Sequence, residues 1–222
     1  MFDAVIFDFD GVIVDSEQAH FEACHSVFAE KGINFSRKQY QQQYIGFSDH
    51  DMFPRIFADA GKNASYQTIE SMIAEKINIY RIIITQKNQV PTVKGLYAFV
   101  NYAIEKKKRI GICSAASKRE VIAALNKLYQ DGLPKCFETV VTANDVSFTK
   151  PHPDPYLLVA DNLMVEPKKC LVIEDSPTGI ESAKGAGMHV AALTTSYQNQ
   201  LLQQADLIVH DFDELLSKAL LD

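Results

Sequence analysis

The feature that most constrains this chain is an apolar run near its start that ends at two carboxylates, Asp8 and Asp10. Residues 4–7 carry no polar side chain, which predicts a strand buried on both faces, as in a parallel sheet. Carboxylates at the end of such a strand are costly unless chemistry requires them. Open α/β sheets bind ligands beyond the carboxyl ends of their strands, so we expect a functional site at this pair.

Two carboxylates this close together repel each other, and proteins relieve the repulsion with a shared proton or a bound cation. An all-oxygen cluster suits a hard divalent metal best. An Asp-x-Asp pair alone also fits an N-cap or a loop aspartate, so the metal interpretation depends on what the rest of the chain brings to the same place.

From Arg109 onward, strand signals alternate with helix signals, which is the pattern of a parallel sheet with right-handed crossover helices. Helix starts are marked by Ser117 with Glu120, a capping box, and by Asp154 and Ser176, each followed by proline. We therefore predict an α/β fold with a Rossmann-like parallel sheet. Its strands are expected at residues 4–7, 110–113, 139–142, 171–173, 190–193 and 207–209.

Residues 16 to 89 lack convincing strand signals and show helical periodicity broken by turn residues. Four helices are expected here: about 19–28, about 36–44, one capped by Ser48 and ending at Gly61, and one from about Ser65 to Tyr80. Because the first strand precedes this block and the other strands follow it, the helices form an insert in one α/β domain. We place the α/β core at residues 1–14 and 92–222 and the helical-bundle insert at residues 15–91.

Composition restricts the functions open to this chain of 222 residues. With 47% hydrophobic and 23% charged residues it is an ordinary globular protein, long enough to bury a substantial core. The formal net charge of -6 opposes nucleic-acid binding, and no apolar stretch is long enough to cross a bilayer. The start of the chain lacks the basic segment of a signal peptide, and the cysteines show no C-x-x-C pairing. We expect a cytoplasmic monomer with structural thiols that binds neither nucleic acid nor membrane.

Further polar groups come after the later strands and therefore fall at the same sheet edge as the first carboxylate pair. Ser114 and Ala115 lie between a strand and a helix, where a hydroxyl and main-chain N–H groups can bind an anion, although a simple ST-turn has the same sequence. Lys150 precedes a proline-rich turn that would hold it as a point charge for phosphate, and an isolated surface lysine is the alternative. Glu174 and Asp175 end another apolar run and would supply further metal oxygens.

The order of these motifs, Asp-x-Asp-Gly, then Ser, then Lys-Pro, then Glu-Asp, resembles the haloacid dehalogenase superfamily of phosphohydrolases. The match spans nearly the whole chain. Residues 8–17 (DFDGVIVDSE) and 173–180 (IEDSPTGI) resemble the branch that contains β-phosphoglucomutases and phosphoglycolate-type phosphatases. The inserted helices resemble the helical cap of that branch, and we interpret residues 15–91 as a cap domain.

The resemblance implies a phosphoric monoester hydrolase that uses Mg²⁺ and acts on a small phosphorylated metabolite, such as a sugar phosphate or a phosphoglycolate-like ester. Asp8 would attack phosphorus and become an aspartyl phosphate, and Asp10 would serve as general acid and base. Mg²⁺ would be held by the Asp8 side chain, the Asp10 carbonyl and Asp175. Glu174 would lie close by or ligate through water.

The resemblance also assigns the groups that bind substrate. The transferring phosphoryl oxygens would be bound at Ser114, Ala115 and Lys150. In the helical cap, His20 and Lys76 match positions that a mutase uses to hold a second phosphate. A histidine on an apolar helix face is also typical of a core residue, so His20 has both interpretations.

Three alternatives to a phosphatase stay open. A β-phosphoglucomutase-like phosphoryl mutase is favoured by His20 and Lys76, but Asp49 stands where the mutase pattern has arginine and would repel a distal phosphate. Dehalogenation is disfavoured because dehalogenases lack the second aspartate, Asp10. A non-catalytic receiver-like or scaffold protein could share the sheet and the acidic cluster but would lack the helical insert. We therefore expect hydrolysis through an aspartyl phosphate.

Overall fold

A computed structural model of the chain describes residues 1–44, 47, 49–86 and 90–222, with residues 85 and 86 described by their backbone alone. The chain divides into two compact units: an α/β unit, Met1–Asp15 with Gln89–Asp222, and a helical unit, Ser16–Asn88. Ser48, which was expected to cap a helix, lies outside the described residues. Each unit has its own hydrophobic core. That the helical unit acts as a cap stays a prediction.

The described part of the helical unit contains α1 (Glu17–Ala29), α2 (Arg37–Gln43), α3 (Asp49–Asp59) and α4 (Tyr66–Gln86). Helix α4 packs against both α1 and α3. The core between them is rich in aromatic rings: the centroid of Phe28 lies 4.8 Å from that of Phe53 and 5.3 Å from that of Phe57. Helix α4 continues beyond Tyr80, where sequence periodicity indicated its last buried residue, because the apolar sequence extends to Ile84, which is also buried.

The described residues of the α/β unit form one six-stranded sheet in which all neighbouring strands pair in parallel. The strands are β1 (Ala4–Phe7), β2 (Arg109–Cys113), β3 (Thr139–Val141), β4 (Cys170–Glu174), β5 (His189–Leu193) and β6 (Leu207–Val209). Their order in the sheet is β3-β2-β1-β4-β5-β6. This is the strand order of a Rossmann-like fold, which confirms the predicted fold class. Each predicted strand agrees with the observed one to within one residue at either end.

Helices of the α/β unit cover both faces of the sheet. They are α5 (Leu96–Glu105), α6 (Lys118–Gln130), α7 (Asp154–Asn162), α8 (Pro177–Gly185) and α9 (Phe212–Leu216). Successive strand residues point to opposite faces, so Ile6 and Val172 pack in the cluster that includes α7 and α8. Phe7 meets Phe99 of α5 and Phe212 of α9, with ring centroids 6.0 Å away in both cases. No helix in the described part of the chain is both long and apolar enough to cross a bilayer.

Local sequence signals begin several of these helices. Ser117 and Glu120 form the predicted capping box of α6, and Ser176 caps α8 as predicted. The prediction for α7 is wrong by one residue: the helix begins at Asp154, and its N-cap is Pro153. Asp154 Oδ1 does not accept a hydrogen bond from the helix backbone and instead lies 3.1 Å from Nδ1 of His152.

The strand order reverses between β1 and β4, which are neighbours in the sheet. Asp8 directly follows β1, Glu174 ends β4, and Asp175 follows it. In open α/β sheets, the crevice at this reversal is where ligands bind. The fold therefore brings these three carboxylates to the position that favours a binding site.

Candidate active site

Asp8 lies at the carboxyl end of β1 in a position fixed by the sheet. Its main-chain N–H donates to the Ile173 carbonyl of β4 at 2.9 Å, which extends the pairing of the two strands. The side chain is buried, and Oδ1 accepts a hydrogen bond from Lys150 Nζ at 2.6 Å. The buried carboxylate therefore has a cation as its immediate partner.

Lys150 connects the ends of three neighbouring strands. Besides Asp8, its Nζ donates to the Cys113 carbonyl of β2 at 3.0 Å and to Glu174 Oε1 of β4 at 2.7 Å. The ammonium also lies 4.7 Å from the centroid of the Tyr156 ring. With its side chain 5% exposed and all of its protons donated, Lys150 is part of the buried site and not an isolated surface lysine. Its protons reach a phosphoryl group only by leaving one of these partners.

Both oxygens of Glu174 are already hydrogen-bonded. Oε1 accepts from Lys150 Nζ and from the Tyr156 hydroxyl, both at 2.7 Å. Oε2 accepts from the Asp175 N–H at 3.0 Å and from the N–H and hydroxyl of Ser176 at 3.1 and 2.9 Å. Glu174 therefore holds Lys150 and the start of α8 in place, and it has little capacity left to ligate a metal directly.

Asp175 completes a group of carboxylates that fits a divalent metal. One oxygen from each of Asp8, Glu174 and Asp175 can be chosen so that all lie within 4.8 Å of one another, and all three residues are buried. Asp175 Oδ2 also accepts a hydrogen bond from the Ser196 hydroxyl, on the loop after β5. Carboxylate oxygens are the donors that Mg²⁺ prefers, and like charges held at this spacing favour a bound cation.

Asp10 lies on a tight turn after Asp8 and is half-buried. The Gly11 N–H donates to the Val14 carbonyl at 2.7 Å, and the Val14 N–H donates to the Phe9 carbonyl at 3.0 Å. The carboxylate cluster found in the described residues does not include the Asp10 side chain. The structure thus brings together three of the four carboxylates predicted for the metal. Ligation by the Asp10 carbonyl, as the resemblance implies, does not require its side chain in that cluster.

Burial and neighbouring charges shift the pKa values of the clustered groups in different directions. Burial raises the pKa of Asp8 to about 7, although Lys150 partly lowers it. Burial, with the charges of Asp8 and Glu174, raises the pKa of Asp175 well above its usual range. Burial alone would raise the pKa of Glu174, but Lys150 and the Tyr156 hydroxyl lower it. Burial would lower the pKa of Lys150, but Asp8 and Glu174 raise it well above its usual range. Lys150 and Glu174 therefore form a charged pair. The carboxyl groups of Asp8 and Asp175 lie beside it, and a further cation would stabilise their ionised forms.

Ser114 lies directly after β2 and is buried, whereas Ala115 is exposed. The Ser114 N–H donates to the Val141 carbonyl at 2.9 Å, and the Ser114 hydroxyl accepts from the Ala116 N–H at 3.0 Å. This is the ST-turn that the sequence allowed as an alternative. The hydroxyl can still donate its own proton, and within the described residues the Ala115 N–H has no acceptor. The turn therefore keeps two donors for an anion.

The helical unit contains a polar cluster of its own around Lys76 of α4. Lys76 Nζ donates to the two carboxylate oxygens of Asp49 at 3.0 and 2.9 Å and lies 3.1 Å from His20 Nδ1. The His20 ring stacks on Tyr80 with centroids 4.2 Å apart. The Lys76 and Asp49 side chains are 7% and 19% exposed. The cation is therefore paired with a carboxylate inside the helical unit, and His20 is half-buried.

Some side chains in the site were not among the predicted residues: Tyr156, Thr195 and Ser196. Polar residues that come just after an apolar strand are expected at the edge of the sheet where Asp8 lies, and Ser114 was predicted on this ground. Thr195 and Ser196 follow β5 in the same way, so the same argument would have indicated them. Tyr156 gives no such signal, because a tyrosine in a helix reaches the end of a strand only through tertiary packing.

Comparison with known proteins identifies the family. The sequence profile of the haloacid dehalogenase-like hydrolases matches residues 5–193. The chain is 30% identical over 186 residues to a phosphorylated carbohydrates phosphatase of Thermotoga maritima, covering 84% of this chain and 82% of the relative. It is 28% identical over 214 residues to the β-phosphoglucomutase of Bacillus subtilis, covering 96% and 91%. The crystal structure of a β-phosphoglucomutase from Clostridium difficile gives a TM-score of 0.78 at 28% identity, covering 98% of this chain and 97% of that one. The chain belongs to the haloacid dehalogenase-like hydrolase family and is an enzyme of that family.

Proposed function

We propose that this enzyme is a Mg²⁺-dependent phosphatase that hydrolyses a small phosphate monoester through an aspartyl phosphate on Asp8. The proposal is carried by the buried Asp8 carboxylate, which is paired to Lys150 and grouped with Glu174 and Asp175 where the sheet order reverses. Membership of a hydrolase family and similarity to a phosphatase support the same chemistry.

Asp8 is the proposed nucleophile. In-line attack by one of its oxygens forms the bond to phosphorus and releases the substrate alcohol. The hydrogen bond from Lys150 to Oδ1 orients the carboxylate and compensates its charge. Asp10 gives a proton to the leaving alkoxide and then takes one from the water that hydrolyses the aspartyl phosphate. The products are the free alcohol and inorganic phosphate.

The Asp8 and Asp175 carboxylates and the Asp10 carbonyl would hold Mg²⁺. Glu174 contributes indirectly, because its oxygens fix Lys150 and the main chain of Asp175. When bound, Mg²⁺ neutralises charge on the phosphoryl group that is being transferred. This use of Glu174 differs from direct ligation and follows from its full set of hydrogen bonds.

The phosphoryl oxygens would be bound by the Ser114 hydroxyl and the Ala115 N–H, both at the end of β2. Lys150 supplies positive charge to the same place through its contact with Asp8, and it can exchange that contact for a phosphoryl oxygen once Asp8 is phosphorylated. Fixed donors of this kind stabilise charge as it moves onto the transferred group.

A phosphoryl mutase is the second candidate, since a β-phosphoglucomutase is among the relatives and Lys76 offers a cation. We favour hydrolysis because both oxygens of Asp49 already accept protons from Lys76. If the helical unit acts as the cap, a second phosphate arriving there would meet this carboxylate. The loss of one charge-assisted contact, roughly 1.5 to 3 kcal/mol, weakens retention of a bisphosphate about 10- to 100-fold.

The test of the proposed function is phosphate release from a panel of sugar phosphates, phosphoglycolate and polyol phosphates, with Mg²⁺ and with EDTA. We expect at least one ester to be hydrolysed with Mg²⁺, no turnover in EDTA, and loss of turnover in Asp8→Asn. Asp3→Asn is the matched control, because Asp3 precedes β1 at the opposite end of the strand and is exposed. Undiminished activity in EDTA or in Asp8→Asn would contradict the proposal.

Hydrolysis and isomerisation are separated by supplying β-glucose 1-phosphate with a trace of the 1,6-bisphosphate and measuring glucose 6-phosphate and inorganic phosphate together. We expect phosphate release to exceed isomerisation, and Asp49→Arg to shift the ratio toward isomerisation. Isomerisation faster than phosphate release in the wild type would make the mutase the better assignment.

A further inference from the structure

Two adjacent hydroxyl residues, Thr195 and Ser196, follow β5 and reach the carboxylate site from a loop outside the motifs that define it. We infer that this pair positions the metal-binding groups: Ser196 aims the Asp175 carboxylate, and Thr195 fixes the Gly11 carbonyl next to Asp10. The inference rests on the proposed Mg²⁺-dependent function and adds residues that act on the metal ligands without ligating the metal.

The contacts of the pair join the two parts of the site. The Ser196 hydroxyl donates to Asp175 Oδ2. The Thr195 hydroxyl donates to the Gly11 carbonyl at 2.5 Å, and the same oxygen lies 3.4 Å from Asp175 Oδ2. One dipeptide after β5 is thus hydrogen-bonded both to the turn that carries Asp10 and to the carboxylate that follows β4.

The turn and the carboxylate are packed so closely that this arrangement leaves little freedom. Gly11 has a φ of +76°, and a Cβ added there would overlap the Asp175 carboxylate and crowd the Ser196 hydroxyl. Asp175 itself is 3% exposed. A buried carboxylate with one oxygen held by a hydroxyl cannot rotate freely, so its other oxygen is directed consistently.

Residues that hydrogen-bond to metal ligands orient those ligands, and removal of such a hydrogen bond typically lowers metal affinity about 10- to 100-fold. A role limited to holding the loop after β5 would instead lower thermal stability and leave metal affinity unchanged. The two roles therefore differ in a quantity that can be measured without substrate.

The experiment is calorimetric titration of Mg²⁺ into the purified full-length protein, with thermal unfolding measured on each variant. We expect Ser196→Ala to bind Mg²⁺ about 10- to 100-fold more weakly, and Ser196→Thr, which keeps a hydroxyl, to bind more tightly than Ser196→Ala. Thr195→Val should also bind Mg²⁺ more weakly than the wild type, whereas Thr195→Ser, which keeps the hydroxyl, should bind it as the wild type does. Thr194→Val is the matched control, since the Thr194 hydroxyl pairs with His210 Nδ1 at 2.9 Å on the exposed side of the loop.

The outcomes separate this inference from the proposed function. Wild-type binding of Mg²⁺ together with unchanged affinity in Ser196→Ala would overturn the positioning role alone. Absence of Mg²⁺ binding in the wild type would overturn the proposed metal dependence, and the positioning role with it. If Ser196→Ala fails to fold, a comparison of Thr195→Val with the Thr194→Val control decides the question, and equal Mg²⁺ affinities in these two variants count against the inference.

Discussion

Lys150→Met removes the cation of the buried site while keeping a side chain of similar length. In the wild type, the Lys150 ammonium lies 2.6 Å from Asp8 Oδ1 and 2.7 Å from Glu174 Oε1. Removing one partner of a buried ion pair costs about 3 to 5 kcal/mol, because the remaining charge is left without compensation. With a urea dependence of about 2 to 3 kcal/mol per M, the midpoint of unfolding should fall by about 1 to 2.5 M.

Lys94→Met is the matched control for this prediction. Lys94 also bridges two carboxylates, those of Asp211 and Asp213 at 3.1 and 2.9 Å, but its side chain is 71% exposed. Ion pairs in contact with water contribute little, so we expect a midpoint close to that of the wild type. The assay is urea unfolding followed by circular dichroism at about pH 8 in EDTA. A loss in Lys150→Met no larger than in Lys94→Met would refute the reasoning.

The loss in Lys150→Met should also depend on pH. Burial raises the pKa of Asp8 to about 7 although Lys150 lowers it, so removing Lys150 should raise it further. A carboxyl group whose pKa is higher in the folded state than in the unfolded state stabilises the fold through its protonated form. This stabilisation is complete below the unfolded-state pKa and is lost as pH rises through the folded-state pKa. The deficit of Lys150→Met against the wild type should therefore be smaller at about pH 5 than at about pH 8.

Other predictions concern packing, metal binding and specificity. Gly179→Ala should lower both the melting temperature and the phosphatase activity, because a Cβ there would overlap the buried Glu174 carboxylate. Overpacking of this kind costs about 1 to 3 kcal/mol of stability. A variant with the melting temperature and activity of the wild type would contradict this prediction. Mg²⁺ affinity should increase between about pH 6 and pH 8, because burial raises the pKa of Asp8 to about 7 and a carboxyl group must lose its proton to bind metal. Calorimetry at both pH values checks it, and equal affinities would count against it. Asp49→Asn should lower KM for sugar bisphosphates relative to monophosphates, because Lys76 loses its charged partner; an unchanged ratio would speak against a role of this pair in specificity.

The α/β fold could be predicted because its signals are local. Residues 4–7 are apolar and end at Asp8, and the later strands are separated by helices that begin at strong signals such as Ser117 and Ser176. Parallel strands then place Asp8 and Asp175 at one edge of the sheet without further information. Even so, the start of α7 was misplaced by one residue, because the backbone of Pro153 already has helical dihedral angles and the helix therefore includes Asp154.

The hydrogen bonds inside the site could not be predicted, because they depend on packing between distant segments. That Lys150 binds phosphate stays a prediction, and the structure adds that it donates to Asp8, Glu174 and a main-chain carbonyl. Glu174 was expected to supply metal oxygens, lying close by or ligating through water, and this stays a prediction; the structure adds that its oxygens accept hydrogen bonds from Tyr156 and the start of α8. The charge of Asp49 predicted that it repels a phosphate. The structure adds that both of its carboxylate oxygens accept hydrogen bonds from Lys76.

The most direct test of covalent catalysis by Asp8 uses p-nitrophenyl phosphate and an Asp10→Asn variant. Nitrophenolate leaves without help from an acid, whereas hydrolysis of the aspartyl phosphate needs the proposed base, so this variant should accumulate the intermediate. Acid-quenched protein, digested and analysed by mass spectrometry, should carry a phosphoryl group on Asp8. The Asp8→Asn variant and protein in EDTA should carry none. Nitrophenolate release by Asp10→Asn without a phosphoryl group on Asp8, or full turnover by Asp8→Asn, would contradict the covalent mechanism.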